Sequence, residues 1–182
     1  NKITGLFQYY VPFPDAKNLW SGNYIESMIM DSEGYIWAGT WYKGLCRLDP
    51  ATGQFEYYDH EPDNPNSLSN NSVFVLYEDS KKNLWIGTHI GLNHMDRSTG
   101  KFTRYYAKHG LPDSDIKGIL EDDHGRLWIS TNNGISRFDP ETETFLNFDK
   151  FDGFEANAFA SFSYFKSPRS GEMFFGSTKG LY

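Results

Sequence analysis

The sequence predicts an all-β chain, a β-propeller segment of about four four-stranded antiparallel blades. Three observations lead there. The phrase Leu84-Trp85-Ile86-Gly87-Thr88, followed by Gly91-Leu92, returns three times: as Ile36-Trp37-Ala38-Gly39-Thr40 with Gly44-Leu45, as Leu127-Trp128-Ile129-Ser130-Thr131 with Gly134-Ile135, and as Met173-Phe174-Phe175-Gly176-Ser177 with Gly180-Leu181. Trp37, Trp85, Trp128 and Phe174 thus form one column that recurs every 43 to 48 residues, within the roughly 40–50-residue range of propeller blades. Each period holds four short apolar runs separated by turn residues, and no 3.6-residue pattern favours a helical repeat.

The first strand of each unit is the gap-free alignment of Ile25 to Asp31, Val73 to Asp79 and Ile116 to Asp122. Val73 to Tyr77 is apolar on both pleat faces, as expected of a sheet covered on both sides. Each strand ends in an aspartate, a residue suited to accepting local backbone N–H groups at a turn, and Gly34 and Gly125 supply freedom there, with Lys82 in the second repeat. The tryptophan phrase is the second strand. Leu45 to Asp49, Leu92 to Asp96 and Ile135 to Asp139 form the third, and Phe55 to Tyr58, Phe102 to Tyr105 and Phe145 to Phe148 the fourth. Polar connections follow over 59–71, 107–115 and 149–157.

The expected repeats are about 22–58, 70–106, 113–148 and 157–182. An additional strand is expected at about 5–11, where Phe7-Gln8-Tyr9-Tyr10 matches the fourth-strand column. In the closing repeat Pro168 stands where the aspartate is expected. Counting strands gives an open arc with weak closure, and unpaired edges at its ends make self-association an expectation.

Composition narrows the function. With 18% aromatic residues the chain can bury a sizeable core. A net charge of −7 and the absence of a basic run argue against a nucleic-acid partner. The single cysteine, Cys46, forms no internal disulfide and leaves the redox compartment open. No apolar run approaches ~18 residues, so any membrane attachment or export signal would lie outside these residues.

The second repeat, with Asn-x-Val, Glu78-Asp79 and then Leu84-Trp85-Ile86-Gly87-Thr88 before Gly91-Leu92, resembles the two-component regulator propeller repeat of hybrid histidine kinases. Asp152 to Asn157 and Gly171 to Gly176 resemble the atypical closing blade of such propellers. The resemblance implies a periplasmic or extracellular sensor segment that recognises glycan-derived ligands, with kinase and output parts elsewhere in the polypeptide.

Candidate chemistry reduces to loops. The tryptophan column is expected to be interblade core, and Asp31, Asp79 and Asp122 to cap turns. His60, His89, His94, His109 and His124 show no paired metal-ligand spacing, so no metal is expected. Gly171 to Thr178 lacks the lysine of a phosphate loop, and no nucleophile elbow occurs, so neither a cofactor nor catalytic residues are expected. The loops between second and third strands share a face with those between fourth and first. They comprise Trp41-Tyr42-Lys43, His89-Ile90, Asn132-Asn133 and Thr178-Lys179. The ligand site is therefore expected at Trp41, Tyr42, Lys43, His89, Asn132, Asn133 and Lys179, where aromatic faces beside amides and cations suit a small saccharide. The alternatives are a propeller lyase or glycosidase, which needs two carboxylates across a pocket, and a protein-interaction scaffold.

Overall fold

The computed structural model describes residues 5, 7–14, 24–155 and 158–182. The described strands are β1 (Ile25–Met30), β2 (Ile36–Thr40), β3 (Leu45–Leu48) and β4 (Phe55–Tyr58) in the first blade, then β5 (Val73–Glu78), β6 (Leu84–Thr88), β7 (Gly91–Asp96) and β8 (Lys101–Tyr105) in the second. The third blade is β9 (Ile116–Glu121), β10 (Leu127–Thr131), β11 (Gly134–Asp139) and β12 (Thr144–Phe148), and the fourth is β13 (Phe159–Lys166), β14 (Met173–Ser177) and β15 (Gly180–Leu181). Within each blade the order is sequential and every pairing is antiparallel. This is the expected propeller arrangement, with β1, β5, β9 and β13 packed successively against one another.

The core lies between blades. Trp37, Val73, Leu76, Leu84 and Ile86 share one cluster, and Trp85, Ile116, Ile119, Leu127 and Phe138 share the next. Gly87 permits this spacing: a Cβ there would stand 2.5 Å from Ile116 Cγ2. Gly39 makes the same allowance for Val73.

The tryptophans and aspartates, read separately as core and as turn caps, are one device. The indole N–H of Trp37 donates to Asp31 Oδ2 (2.7 Å), that of Trp85 to Asp79 Oδ2 (2.8 Å) and that of Trp128 to Asp122 Oδ2 (3.1 Å). Each aspartate's Oδ1 accepts two backbone N–H bonds of its turn. Burial pushes the Asp31 and Asp122 carboxyls up, but the indole and backbone donors outweigh it and hold both below the usual carboxylate range. A second clamp joins blades, with Ser32 donating to Glu78 and Ser80 to Glu121 through both backbone N–H and hydroxyl.

Two expectations are corrected. Residues 7–10 form no strand: the described stretch 7–14 lies over β4, with the Tyr10 ring on Phe55, the Phe13 ring on Tyr57, and the Tyr57 hydroxyl donating to the Pro12 carbonyl. Apolar contact with the outer strand holds this stretch without ladder bonds. In the closing blade the pairing of Lys166 with Met173 puts Ser167, not Pro168, at the aspartate position, and its hydroxyl accepts the turn N–H groups of Arg169 and Ser170.

Candidate functional site

The first strand of each blade carries an irregularity at the same place. Register is interrupted between Ile25 and Ser27, between Val73 and Val75, opposite Ser130 and Thr131 at Lys117, and between Phe159 and Tyr164. A bulge leaves its extra residue out of the ladder and re-aims the side chain. Here Glu26, Phe74, Lys117 and, from the closing blade, Ser161 and Phe162 line one cavity of about 370 Å³. Phe162 holds φ at 61° to do so. Trp41, Tyr42, Ser72, His89 and Asp115 from the loops complete the lining.

The loops are fixed by main-chain bonds between the two kinds of connection. The His89 N–H donates to the Ser72 carbonyl (3.0 Å) and the Gly91 N–H to that of Ser114 (2.7 Å). The Trp41 carbonyl accepts the Ser72 hydroxyl, and its N–H donates to Tyr24 (3.2 Å). The Trp41 ring meets Phe74 nearly edge-on at 5.5 Å and Tyr24 at 6.1 Å, so it packs on the next blade and walls the cavity at once.

Asp115 is the polar centre. It is 8% exposed, and its Oδ2 accepts from Lys117 Nζ (2.7 Å) and Asn132 Nδ2 (2.9 Å), with His89 Nδ1 at 3.4 Å. Its Oδ1 is buried with no partner among the described residues. The Lys117 ammonium also stands 5.7 Å from the Phe74 ring centre. Across the cavity lining, Glu26 is half-buried without a hydrogen bond or ion pair among the described residues, and burial pushes its carboxyl up.

Of the residues expected at the site, the cavity brings together Trp41, Tyr42 and His89, and Asn132 stands one hydrogen bond behind them on Asp115. Lys43, Asn133 and Lys179 lie outside the lining, their backbone N–H groups donating to Thr40, Thr131 and Ser177 hydroxyls. Sequence reasoning missed Glu26, Phe74, Lys117, Phe162 and Asp115. The available signal was the second position of the first-strand alignment, which alone changes from acid to aromatic to base. Among the described residues no three His, Cys, Asp or Glu side chains gather as metal ligands.

Such a cavity can take a ring-shaped polar molecule, with aromatic walls against its faces and acceptors and donors at its edge. The architecture defines a β-propeller with this opening between its blades. Residues 17–42, 67–89 and 110–133 match the model of the two component regulator propeller, so three stretches of the chain carry that repeat. It is similar to the extracellular domain of BT3049 from B. thetaiotaomicron, assigned as a hybrid two component system, with 27% identity and a TM-score of 0.81 over 97% of this chain and 23% of that one. The extracellular domain of BT4673 from the same organism is 27% identical with a TM-score of 0.68, covering 87% of this chain and 21% of its own. The chain thus spans less than a quarter of either. Virginiamycin B lyase from Staphylococcus aureus, 18% identical with a TM-score of 0.68 over 97% of this chain and 58% of the lyase, shares the fold alone. No curated protein matches.

Proposed function

We propose that this chain is part of the ligand-sensing propeller of a two-component receptor, on the periplasmic or extracellular side, and that it holds a small saccharide in the central cavity without turning it over. The observation that carries this is the convergence of four blades on one opening, walled by Trp41, Tyr42, Phe74 and Phe162 and edged by Glu26, His89, Asp115 and Lys117. A sugar ring is apolar on its faces and hydroxylated at its rim, which matches that distribution. Similarity to the extracellular domains of BT3049 and BT4673 supports the sensor setting and the location. Kinase and membrane-attached parts belong to other portions of such a receptor.

Binding without turnover is favoured because a glycosidase needs a working pair of carboxylates, and of the two at the cavity only Glu26 is free of a donor among the described residues. Asp31, Asp79 and Asp122 are occupied by indole and turn donors, and Asp115 is held by Lys117 and Asn132. Neither set is arranged to pass a proton to a leaving group. Asn132 steadies Asp115, and Lys43, Asn133 and Lys179 are assigned to the outlying parts of a longer glycan.

Titration calorimetry of the chain against a panel of oligosaccharides tests this reading. Binding is expected to disappear when Trp41→Ala, Tyr42→Ala and His89→Ala are combined. Binding that survives the triple substitution, or release of hydrolysed or eliminated product from any bound sugar, would sink it.

A further inference from the structure

The charges around the cavity do not balance. Two carboxylates, Glu26 and Asp115, share its lining with a single lysine, and Lys117 is already bonded to Asp115 at 2.7 Å. His89 Nδ1 also turns to Asp115, at 3.4 Å. Glu26 is left half-buried with no donor among the described residues, and one oxygen of Asp115, itself 8% exposed, is buried and unpaired. Partly desolvated carboxylates short of donors are unfavourable, and an occupant that brings positive charge relieves both, with N–H groups for Glu26 as well.

The walls agree with that chemistry. Aromatic faces attract cations through the ring quadrupole, and the Phe74 face already has the Lys117 ammonium 5.7 Å from its centre. Trp41, Tyr42 and Phe162 offer further rings around the same space. A neutral sugar would leave the Glu26 carboxylate uncompensated. An acidic sugar would add a third carboxylate beside the two present, where like charges repel.

Resting on the saccharide reading above, we infer that the ligand of this cavity is an amino sugar whose protonated amine lies between Glu26 and Asp115. Glu26 supplies the charge selection and accepts an N–H from the amine, and the carboxylate of Asp115 adds negative charge on the other side. Neutral and acidic sugars of the same size are discriminated against because they offer no cation.

Calorimetry of the chain with a glucosamine disaccharide, its N-acetylated counterpart and a uronic-acid disaccharide decides the matter. The free amine is expected to bind about tenfold more tightly than the N-acetyl form, as a charge-assisted hydrogen bond implies, and the uronic acid more weakly than either. Glu26→Gln, at a position that makes no bond whose loss would disturb folding, is expected to bring the ratio of amine to N-acetyl affinity close to one. Asp115→Asn is expected to lower the ratio as well, with retained melting temperature as its control. Equal affinities for the amine and N-acetyl sugars, or an unchanged ratio in Glu26→Gln, overturns the inference and leaves the saccharide site standing. Failure of all three sugars to bind overturns both. A simple alkylamine that binds as tightly as the amino sugar overturns the sugar assignment.

Discussion

Asp79 holds Trp85 by one oxygen and its own turn by the other: Oδ2 accepts the indole N–H at 2.8 Å, and Oδ1 accepts the backbone N–H groups of Lys81 and Asn83 at 2.9 and 2.8 Å. The blade's largest core ring and the hairpin at the opposite face from the cavity are therefore positioned by a single carboxylate. Both groups are buried, so a missing partner exposes unpaired donors as well as a void.

Trp85→Ala is expected to destabilise the chain by ~3–5 kcal/mol, since it removes a large buried ring. Asp79→Ala should cost about 3 kcal/mol, because the indole and two turn N–H groups lose their acceptor. His109→Ala is the contrast: the residue is exposed, and the hydrogen bond it accepts from the Tyr106 N–H lies at the surface, so about 0.5 kcal/mol is expected. Denaturant midpoints compare the three. Coinciding midpoints for Trp85→Ala and His109→Ala would remove the tryptophan from the core.

Gly87→Ala tests the contact between the second and third blades. Its new methyl would meet Ile116 Cγ2 at 2.5 Å and Val75 Cβ at 3.1 Å, and overpacking of that kind costs roughly 1–3 kcal/mol. Ile116→Ala removes the nearest obstructing atom, Cγ2, and leaves its Cβ at 2.9 Å, so the double variant should lose somewhat less stability than the sum of the two single changes, as a double-mutant cycle reads directly.

Acid should weaken the fold, beginning with His94. This ring stacks on Trp85 with centroids 4.6 Å apart, and burial lowers its pKa from the ordinary 6.5. The unfolded chain therefore takes up a proton more readily than the folded one. Stability is complete above about pH 6.5 and falls as pH drops through the lowered folded value. Asp31 and Asp122, also lowered, add a further loss in stronger acid, below the ordinary carboxylate value of 3.8. Thermal melts across this range should flatten at the upper step in His94→Gln.

The leading face of the first blade should drive association. Met28 and Met30 are each 67% exposed, whereas Leu76, aligned with Met28 in the second blade, is 4% exposed beneath its neighbour. An uncovered interblade face of this kind favours contact with another apolar surface. Light scattering is expected to show concentration-dependent growth in mass, reduced by Met28→Lys with Met30→Lys. A monodisperse monomer at high concentration would show that the exposed methionines do not suffice.

The sequence by itself determined the blades, because strand, turn and tryptophan recur at fixed intervals and each repeat states the same local physics. Trp37, Trp85 and Trp128 could be placed in one column, and Asp31, Asp79 and Asp122 in turns, before any coordinates. The loop residues Trp41, Tyr42 and His89 were also legible, since their face follows from strand count. Only the tertiary structure decided that the aspartates grip the tryptophans, because that bond spans a hairpin and depends on side-chain direction. It alone decided the cavity lining as well. Glu26, Phe74, Lys117 and Phe162 lie far apart in sequence and meet only where four bulged strands face one axis, and a bulge is a defect of pairing that alternation along one strand does not encode.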